Sequence, residues 1–178
     1  MAAQTRLDLT KSLYFISGSS HFVSGEKLRI QASARKLSNT LQNALNDEAE
    51  LAEVLSMIKV CSQSQTAILP YFQEEISSLI SHDSKMVRNH AYELLLKLLR
   101  FDPTLSQQLI VPFIGCLESN DAQIARHAIE KLPDVAPLAQ EQLESLLNTA
   151  FNLGLSSNLE VVVPICDTLN LMNGLAGY

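Results

Sequence analysis

Apolar residues recur at steps of three and four along most of the chain, a spacing that predicts amphipathic helices. The clearest stripe lies in residues 83–101 and places five apolar side chains on one helical face: Val87, Ala91, Leu94, Leu95 and Leu98. Asp83 or Ser84 is suited to cap its first turn. Asp102-Pro103 should end it, because the residue before a proline avoids the helical conformation. We expect the other elements to pack around this helix.

The same stretch has a later copy, which indicates an internal repeat. A shift of 38 residues superimposes four of its residues on later ones: Asp83 on Asp121, Val87 on Ala125, Arg88 on Arg126 and Leu94 on Leu132. A weaker third copy begins at Asn158. Periods in this range are typical of stacked helix pairs. The pattern therefore predicts an all-α, right-handed helical-repeat solenoid of about four helix pairs.

The remaining stripes place further helices along the chain. The predicted helices cover residues 26–45, 48–61, 68–80, 83–101, 105–117, 121–132, 140–153 and 159–172. Pro133 and Pro137 should end the second copy early, and Gly154 should close the helix before it in a left-handed conformation. Residues 17–25 are rich in Ser and Gly. We therefore expect a short helix and a flexible loop over 1–25, followed by one helical-repeat domain over 26–178.

Composition supports packing of helices on helices and favours an intracellular location. Hydrophobic residues make up 47% of the chain and aromatic residues 6%, and tryptophan is absent. No apolar run approaches the roughly 18 residues of a membrane span, and the N-terminus lacks the layout of a signal peptide. Cys61, Cys116 and Cys166 are far apart, so we expect buried, reduced thiols rather than a zinc site or a nucleophile.

Charge is distributed unevenly, which bears on possible nucleic-acid binding. The net charge is −6, yet the first 45 residues hold six Lys or Arg against two Asp or Glu. Residues 132–178 hold five acidic residues and no basic one. The basic N-terminal segment leaves one alternative open, a nucleic-acid contact through Lys27, Arg29, Arg35 and Lys36. A solvated helix face is the favoured interpretation of these four residues.

Motifs typical of enzymes are absent from the sequence. It contains no G-x-G-x-x-G, G-x-x-x-x-G-K-[ST], H-E-x-x-H or G-x-S-x-G, and no candidate nucleophile has a neighbouring residue that would orient it. We therefore expect no catalytic, metal-binding or cofactor-binding residues and no cofactor. A hydrolase built on a helical frame, with its reacting groups drawn from distant segments, stays as a second alternative.

Two groups of polar residues are candidate functional positions. Arg88 and Arg126 each follow an aspartate, Asp83 or Asp121, by five residues, which predicts a structural ladder between repeats. The alternative is a basic row that binds an acidic peptide. Five polar residues on the outward side of the repeated helices form the predicted partner-binding row: Asn89, Glu93, Lys97, His127 and Lys131. Here the alternative is a solvent-facing stripe with an ion pair between Glu93 and Lys131.

The motif D-x-x-x-V-R-x-x-A-x-x-x-L, which starts at Asp83, resembles the second helix of a HEAT/armadillo-type repeat. Asp121 to Arg126 forms a degenerate second instance. The likeness covers roughly residues 65–175. It implies the stacked-helix architecture and says little about function.

The last third of the chain resembles the C-terminal region of the largest subunit of the Integrator complex. The matching points are Leu132-Pro133, Gln140-Glu141 and Ala150-Phe151-x-x-Gly154. The resemblance implies a nuclear, non-catalytic scaffold in an RNA polymerase II-associated complex that processes snRNA 3′ ends and attenuates transcription. It also implies protein partners among the other subunits, such as a short segment of the PHD-finger subunit. The lack of a membrane-span pattern and the acidic C-terminal half argue against direct contact with a membrane or with nucleic acid.

Overall fold

The computed structural model describes residues 31, 34–35, 38–39, 41, 47–64, 66–155 and 159–175; side chains are omitted at 64, 140, 159–161 and 171–175. Within these ranges all regular secondary structure is helical. The expectations for residues 1–25 lie outside the described residues, as does most of the helix predicted over 26–45.

Seven α-helices follow one another along the described chain. They are α1 (Glu48–Ser64), α2 (Gln73–Leu79), α3 (Lys85–Phe101), α4 (Ser106–Leu117), α5 (Ala122–Val135), α6 (Leu143–Gly154) and α7 (Leu159–Leu175). Short 3₁₀ segments connect them at Thr66–Phe72, Pro103–Leu105, Ala136–Leu138 and Gln140–Gln142. The predicted helices after residue 47 are all present, and their ends differ from the prediction by a few residues, as is usual for frayed or 3₁₀ termini.

The helices pack as pairs in two layers. Each of α2, α4 and α6 packs against the helix that follows it, α3, α5 and α7 respectively. Across the pairs, α1 contacts α3, α3 contacts α5, and α5 contacts α7, while α2 contacts α4 and α4 contacts α6. One layer therefore contains α1, α3, α5 and α7, and the other contains α2, α4 and α6. The two repeated helices, α3 and α5, lie side by side as the 38-residue period predicts.

Helix α3 lies in the centre of this arrangement. The Ser84 side chain accepts a hydrogen bond from the Val87 amide and caps the helix. The whole predicted apolar stripe is buried, and Leu95 has no exposed surface. At the other end Asp102 leaves the helical conformation, with φ −136° and ψ 87°, as expected before a proline. Because α3 contacts helices of both layers, its buried side chains form part of the core that the layers share.

Helix α5 corrects the prediction that Pro133 ends the second copy. The helix continues through Pro133 to Val135. A proline at this position leaves the Ile129 carbonyl, four residues earlier, without its usual backbone donor. The Thr168 hydroxyl on α7 donates to that carbonyl at 3.4 Å. A distant helix therefore compensates for the missing hydrogen bond, and Pro137 lies in the short 3₁₀ segment that follows.

Gly154 and Cys166 also differ from expectation. Gly154 is the last residue of α6 and has no positive φ, so it is not a left-handed cap. A Cβ added there would lie 3.4 Å from the Ile165 side chain, an ordinary van der Waals distance, so the packing of α6 on α7 does not require a glycine. All three cysteines are free thiols. Cys116 is buried and Cys61 is half-buried, but Cys166 is exposed, which corrects the expectation that all three are buried.

Candidate functional site

Two of the polar residues that the repeat pattern singled out, Arg88 and His127, meet at the contact between α3 and α5. Lys85 and Arg88 are three residues apart on α3, and His127 and Lys131 are four apart on α5, so each pair shares one helical face. The two faces meet where the Arg88 Nε donates a hydrogen bond to the His127 Nδ1 at 3.1 Å. We call these four residues the α3–α5 junction.

Arg88 is the buried centre of the junction. Only 1% of its surface is exposed. Its Nη1 donates to the carbonyl oxygens of His82 and Asp83, each at 2.7 Å. The side chain therefore ties the turn before α3 to the neighbouring helix α5. The predicted contact between Arg88 and Asp83 is therefore present, but Asp83 accepts through its backbone oxygen and not through its carboxylate.

His127 is buried, with 3% of its surface exposed, which corrects its predicted outward position. Burial lowers the pKa of His127 to about 4, and the nearby charges of Arg88, Lys131 and Lys85 act in the same direction, while Glu130 opposes them. The imidazole is therefore neutral near pH 7. Acceptance of the Arg88 proton at Nδ1 places the ring's own proton on Nε2.

Tyr92, Phe113 and Cys116 form a buried cluster that contacts His127 through the Tyr92 ring. The Tyr92 ring packs edge-on against His127, with centroids 4.9 Å apart, and against Phe113 at 6.1 Å. Burial raises the pKa of Tyr92 and also that of the Cys116 thiol beside its hydroxyl. Both groups therefore stay protonated at neutral pH. The sequence predicted burial of Cys116 but placed His127 on the outward side of α5, so it gave no signal for the cluster as a whole.

Glu93 and Lys97 lie on the opposite side of α3 and contact α1. The Glu93 carboxylate forms an ion pair with Lys59. The Lys97 Nζ donates to the Ser62 hydroxyl at 3.2 Å and to the Lys59 carbonyl at 3.5 Å. Glu93 therefore pairs with α1 rather than with Lys131, which corrects the alternative that proposed that ion pair.

Arg126 does not repeat the role of Arg88. Its side chain is 67% exposed and pairs with Glu130 one turn later, with 3.5 Å between Nε and Oε1. Asp121 caps α5 by accepting from the amides of Gln123 and Ile124. The structure therefore places neither residue in a ladder. The apolar positions of the repeat are buried in both helices, as with Val87 and Ala125. At the polar position the match fails, because Arg126 is exposed and its neighbour His127 is the buried residue that contacts Arg88.

The other members of the predicted binding row have mixed environments. Asn89 is exposed and Lys131 is half-buried. Of the four basic residues in the nucleic-acid alternative, Arg35 is exposed, and Lys27, Arg29 and Lys36 lie outside the described residues. The exposed or half-exposed polar side chains of α3 and α5 include Lys85, Asn89 and Lys131.

In the described ranges, no three His, Cys, Asp or Glu residues are grouped so that they would hold a metal ion. None of the helices there is long and apolar enough to cross a membrane.

The fold and the junction define an all-helical protein of paired, layered helices with a polar surface across neighbouring pairs. A family model described as Integrator complex subunit 1, R4 domain, matches residues 37–140, a range that contains α1 to α5. The chain belongs to this family. The resemblance to the largest Integrator subunit noted in the sequence is therefore confirmed.

Individual relatives agree with the family match. The chain is similar to Integrator complex subunit 1 of Homo sapiens, with 30% identity over 124 residues, and of Mus musculus, with 27% identity over 124 residues. It is also similar to the Drosophila melanogaster protein, with 29% identity over 107 residues. The matches cover 70%, 70% and 57% of this chain. The chain spans only 5% to 6% of the length of these relatives.

Proposed function

We propose that the chain is a non-catalytic scaffold domain that binds a segment of another subunit within an Integrator-type complex. The observation that carries the proposal is the family match over residues 37–140. Because the chain spans a small part of its relatives, a local binding role suits it better than the activity of a whole assembly. In this proposal the helix pairs continue as a right-handed HEAT/armadillo-like solenoid of about four pairs.

The layered packing supports a docking role on physical grounds. Helices α1, α3, α5 and α7 adjoin one another in one layer, and repeat proteins use such rows as extended binding surfaces. A partner segment that is helical or extended would lie across α3 and α5 and contact Asn89 and Lys131. Glu93 and Lys97 hold α1 against α3, so their part in partner binding is to keep neighbouring helices in place.

The biological setting follows from the same proposal. The domain would act in the nucleus, in an RNA polymerase II-associated complex that processes snRNA 3′ ends and attenuates transcription. Another subunit would perform the RNA cleavage. The PHD-finger subunit is the first partner to test, because a short segment of a smaller subunit fits a surface two helices wide.

Affinity purification tests the proposal directly. The 178-residue chain is immobilised and incubated with nuclear extract, and bound proteins are quantified by mass spectrometry. The control is the Leu95→Asp variant, which places a carboxylate in a fully buried position and should unfold the core. We expect Integrator subunits, including the PHD-finger subunit, to be enriched at least about tenfold over the control. Equal recovery on both baits would overturn the proposal.

A further inference from the structure

The α3–α5 junction carries more positive charge than its own carboxylates neutralise. Lys85, Arg88 and Lys131 all act on His127 as positive charges, and Glu130 is the single negative charge that acts on it with them. Glu130 is already paired with Arg126. Lys85 is exposed and Lys131 is half-buried. In the part of the chain that the structure describes, neither lysine forms an ion pair.

Arg88 itself retains unused hydrogen-bonding capacity. A guanidinium carries five N–H groups, and the described contacts of Arg88 involve only Nε and Nη1. Its acceptors are two carbonyl oxygens and one imidazole nitrogen, so the described contacts bring no carboxylate to its charge. A buried cation in such surroundings is expensive without a counter-charge, and two flanking lysines add to the local positive potential.

Two acidic residues, Glu48 and Asp83, lie close to the start of α3. The Glu48 carboxylate accepts a hydrogen bond from the Ser84 hydroxyl at the start of α3. Asp83 meets Arg88 through its carbonyl, and its side chain is exposed. Within the described ranges, neither of these carboxylates forms an ion pair with Lys85 or Lys131.

We propose that the α3–α5 junction binds a carboxylate side chain of an acidic peptide segment, held between Lys85 and Lys131 with Arg88 as the buried positive charge beneath it. The inference rests on the proposed docking function and adds the chemistry of the docked segment: an acidic partner peptide. A single carboxylate fits better than a nucleic-acid backbone, because a run of phosphates would also meet the carboxylates of Glu48, Asp83 and Glu130.

Fluorescence anisotropy with defined peptides tests this site on the full 178-residue chain. The probe is a fluorescein-labelled decapeptide of alternating glutamate and serine, and the matched probe has glutamine in place of glutamate. We compare Lys85→Gln/Lys131→Gln with a control of equal charge change, Arg35→Gln/Arg100→Gln, whose residues are exposed. Arg100 is 15 residues from Lys85 on α3, which corresponds to about 22 Å.

The junction variant should bind the glutamate peptide about fivefold more weakly than wild type, and the control should stay within about twofold. Binding should weaken with added salt. Histidine NMR supplies a second readout: a carboxylate held in the junction should raise the pKa of His127 in the peptide complex. Thermal melts of both variants should match wild type.

Three results would overturn the inference: equal weakening in both variants, equal binding of the glutamine peptide, or tighter binding of an RNA decamer that is lost in the junction variant. If the glutamate peptide does not bind while the wild-type chain still captures Integrator subunits, the carboxylate site fails and the scaffold function stands. If the peptide binds as expected but the capture fails, the scaffold function fails instead.

Discussion

At the scale of single residues, Arg88 and His127 show where periodicity stops being informative. The apolar stripe Val87 to Leu98 is buried as its spacing predicts. Arg88 is just as buried, because carbonyl oxygens and an imidazole nitrogen replace the water that its guanidinium loses. No pattern of hydrophobic and polar positions contains that information, since the acceptors come from a turn and a second helix. The 38-residue repeat predicted helices α3 and α5 correctly, but it wrongly placed His127 on the outward side of α5.

The buried arginine should be essential for stability, while its repeat equivalent should not. Arg88→Ala leaves two carbonyls and the His127 nitrogen without their donor, so we expect a loss of about 3 kcal/mol in the free energy of unfolding. The matched Arg126→Ala change removes an exposed side chain and should cost less than about 0.5 kcal/mol. Urea denaturation measures both. Equal losses in the two variants would show that Arg88 is not the anchor described above.

The lowered pKa of His127 makes stability depend on pH in one direction. The folded state holds the pKa at about 4, against 6.5 for the free side chain, so the unfolded chain binds a proton more readily. The stabilising effect is complete above pH 6.5 and decreases as the pH falls toward 4, by up to about 1.4 kcal/mol per pH unit.

His127→Gln keeps an acceptor for Arg88 and removes the titrating group. Its free energy of unfolding, measured by urea denaturation at pH 7 and pH 5, should therefore fall less between the two values than that of wild type. An unchanged difference between pH 7 and pH 5 would show that other groups cause the acid sensitivity.

At the scale of elements, the sequence predicts helix positions well and helix ends less well. Helix α3 starts at Ser84, one of its two predicted caps, and Asp121 caps α5, because both side chains accept amide hydrogen bonds locally. The prediction that Pro133 ends the helix was wrong because Thr168 on α7 donates the hydrogen bond that the Ile129 carbonyl loses to the proline. Local rules describe what a proline removes, but they do not show which distant side chain replaces it.

A double-mutant cycle tests the compensation between α5 and α7. Thr168→Val removes the hydroxyl that donates to the Ile129 carbonyl and should cost about 1 kcal/mol of stability. Pro133→Ala restores a backbone N–H for the same carbonyl, so the cost of Thr168→Val should become smaller in that background. Chemical denaturation of the four proteins gives the coupling energy. Additive effects would indicate that Thr168 contributes only by packing.

At the scale of the whole molecule, the order of the helices was predictable and the binding face was not. The 38-residue period placed α3 beside α5, and the contacts of the two layers agree with it. The face available to a partner depends on which polar side chains make no contact with neighbouring helices after packing. Glu93 and Lys97 are taken up by α1 and His127 by Arg88, whereas Asn89 and Lys131 stay accessible. Which polar residues stay accessible is therefore decided by contacts between helices that are far apart in the sequence.

The proposed binding of another Integrator subunit to the surface across α3 and α5 can be measured as the amount of PHD-finger subunit that two single variants of the 178-residue chain capture from nuclear extract. Asn89→Trp places a bulky ring on the exposed side of α3, and Gln107→Trp places the same ring on the exposed side of α4 in the other layer. We predict that Asn89→Trp lowers capture by at least about tenfold and that Gln107→Trp leaves it unchanged. Undiminished capture by Asn89→Trp, or loss of capture only with Gln107→Trp, would contradict binding of the subunit at the surface across α3 and α5.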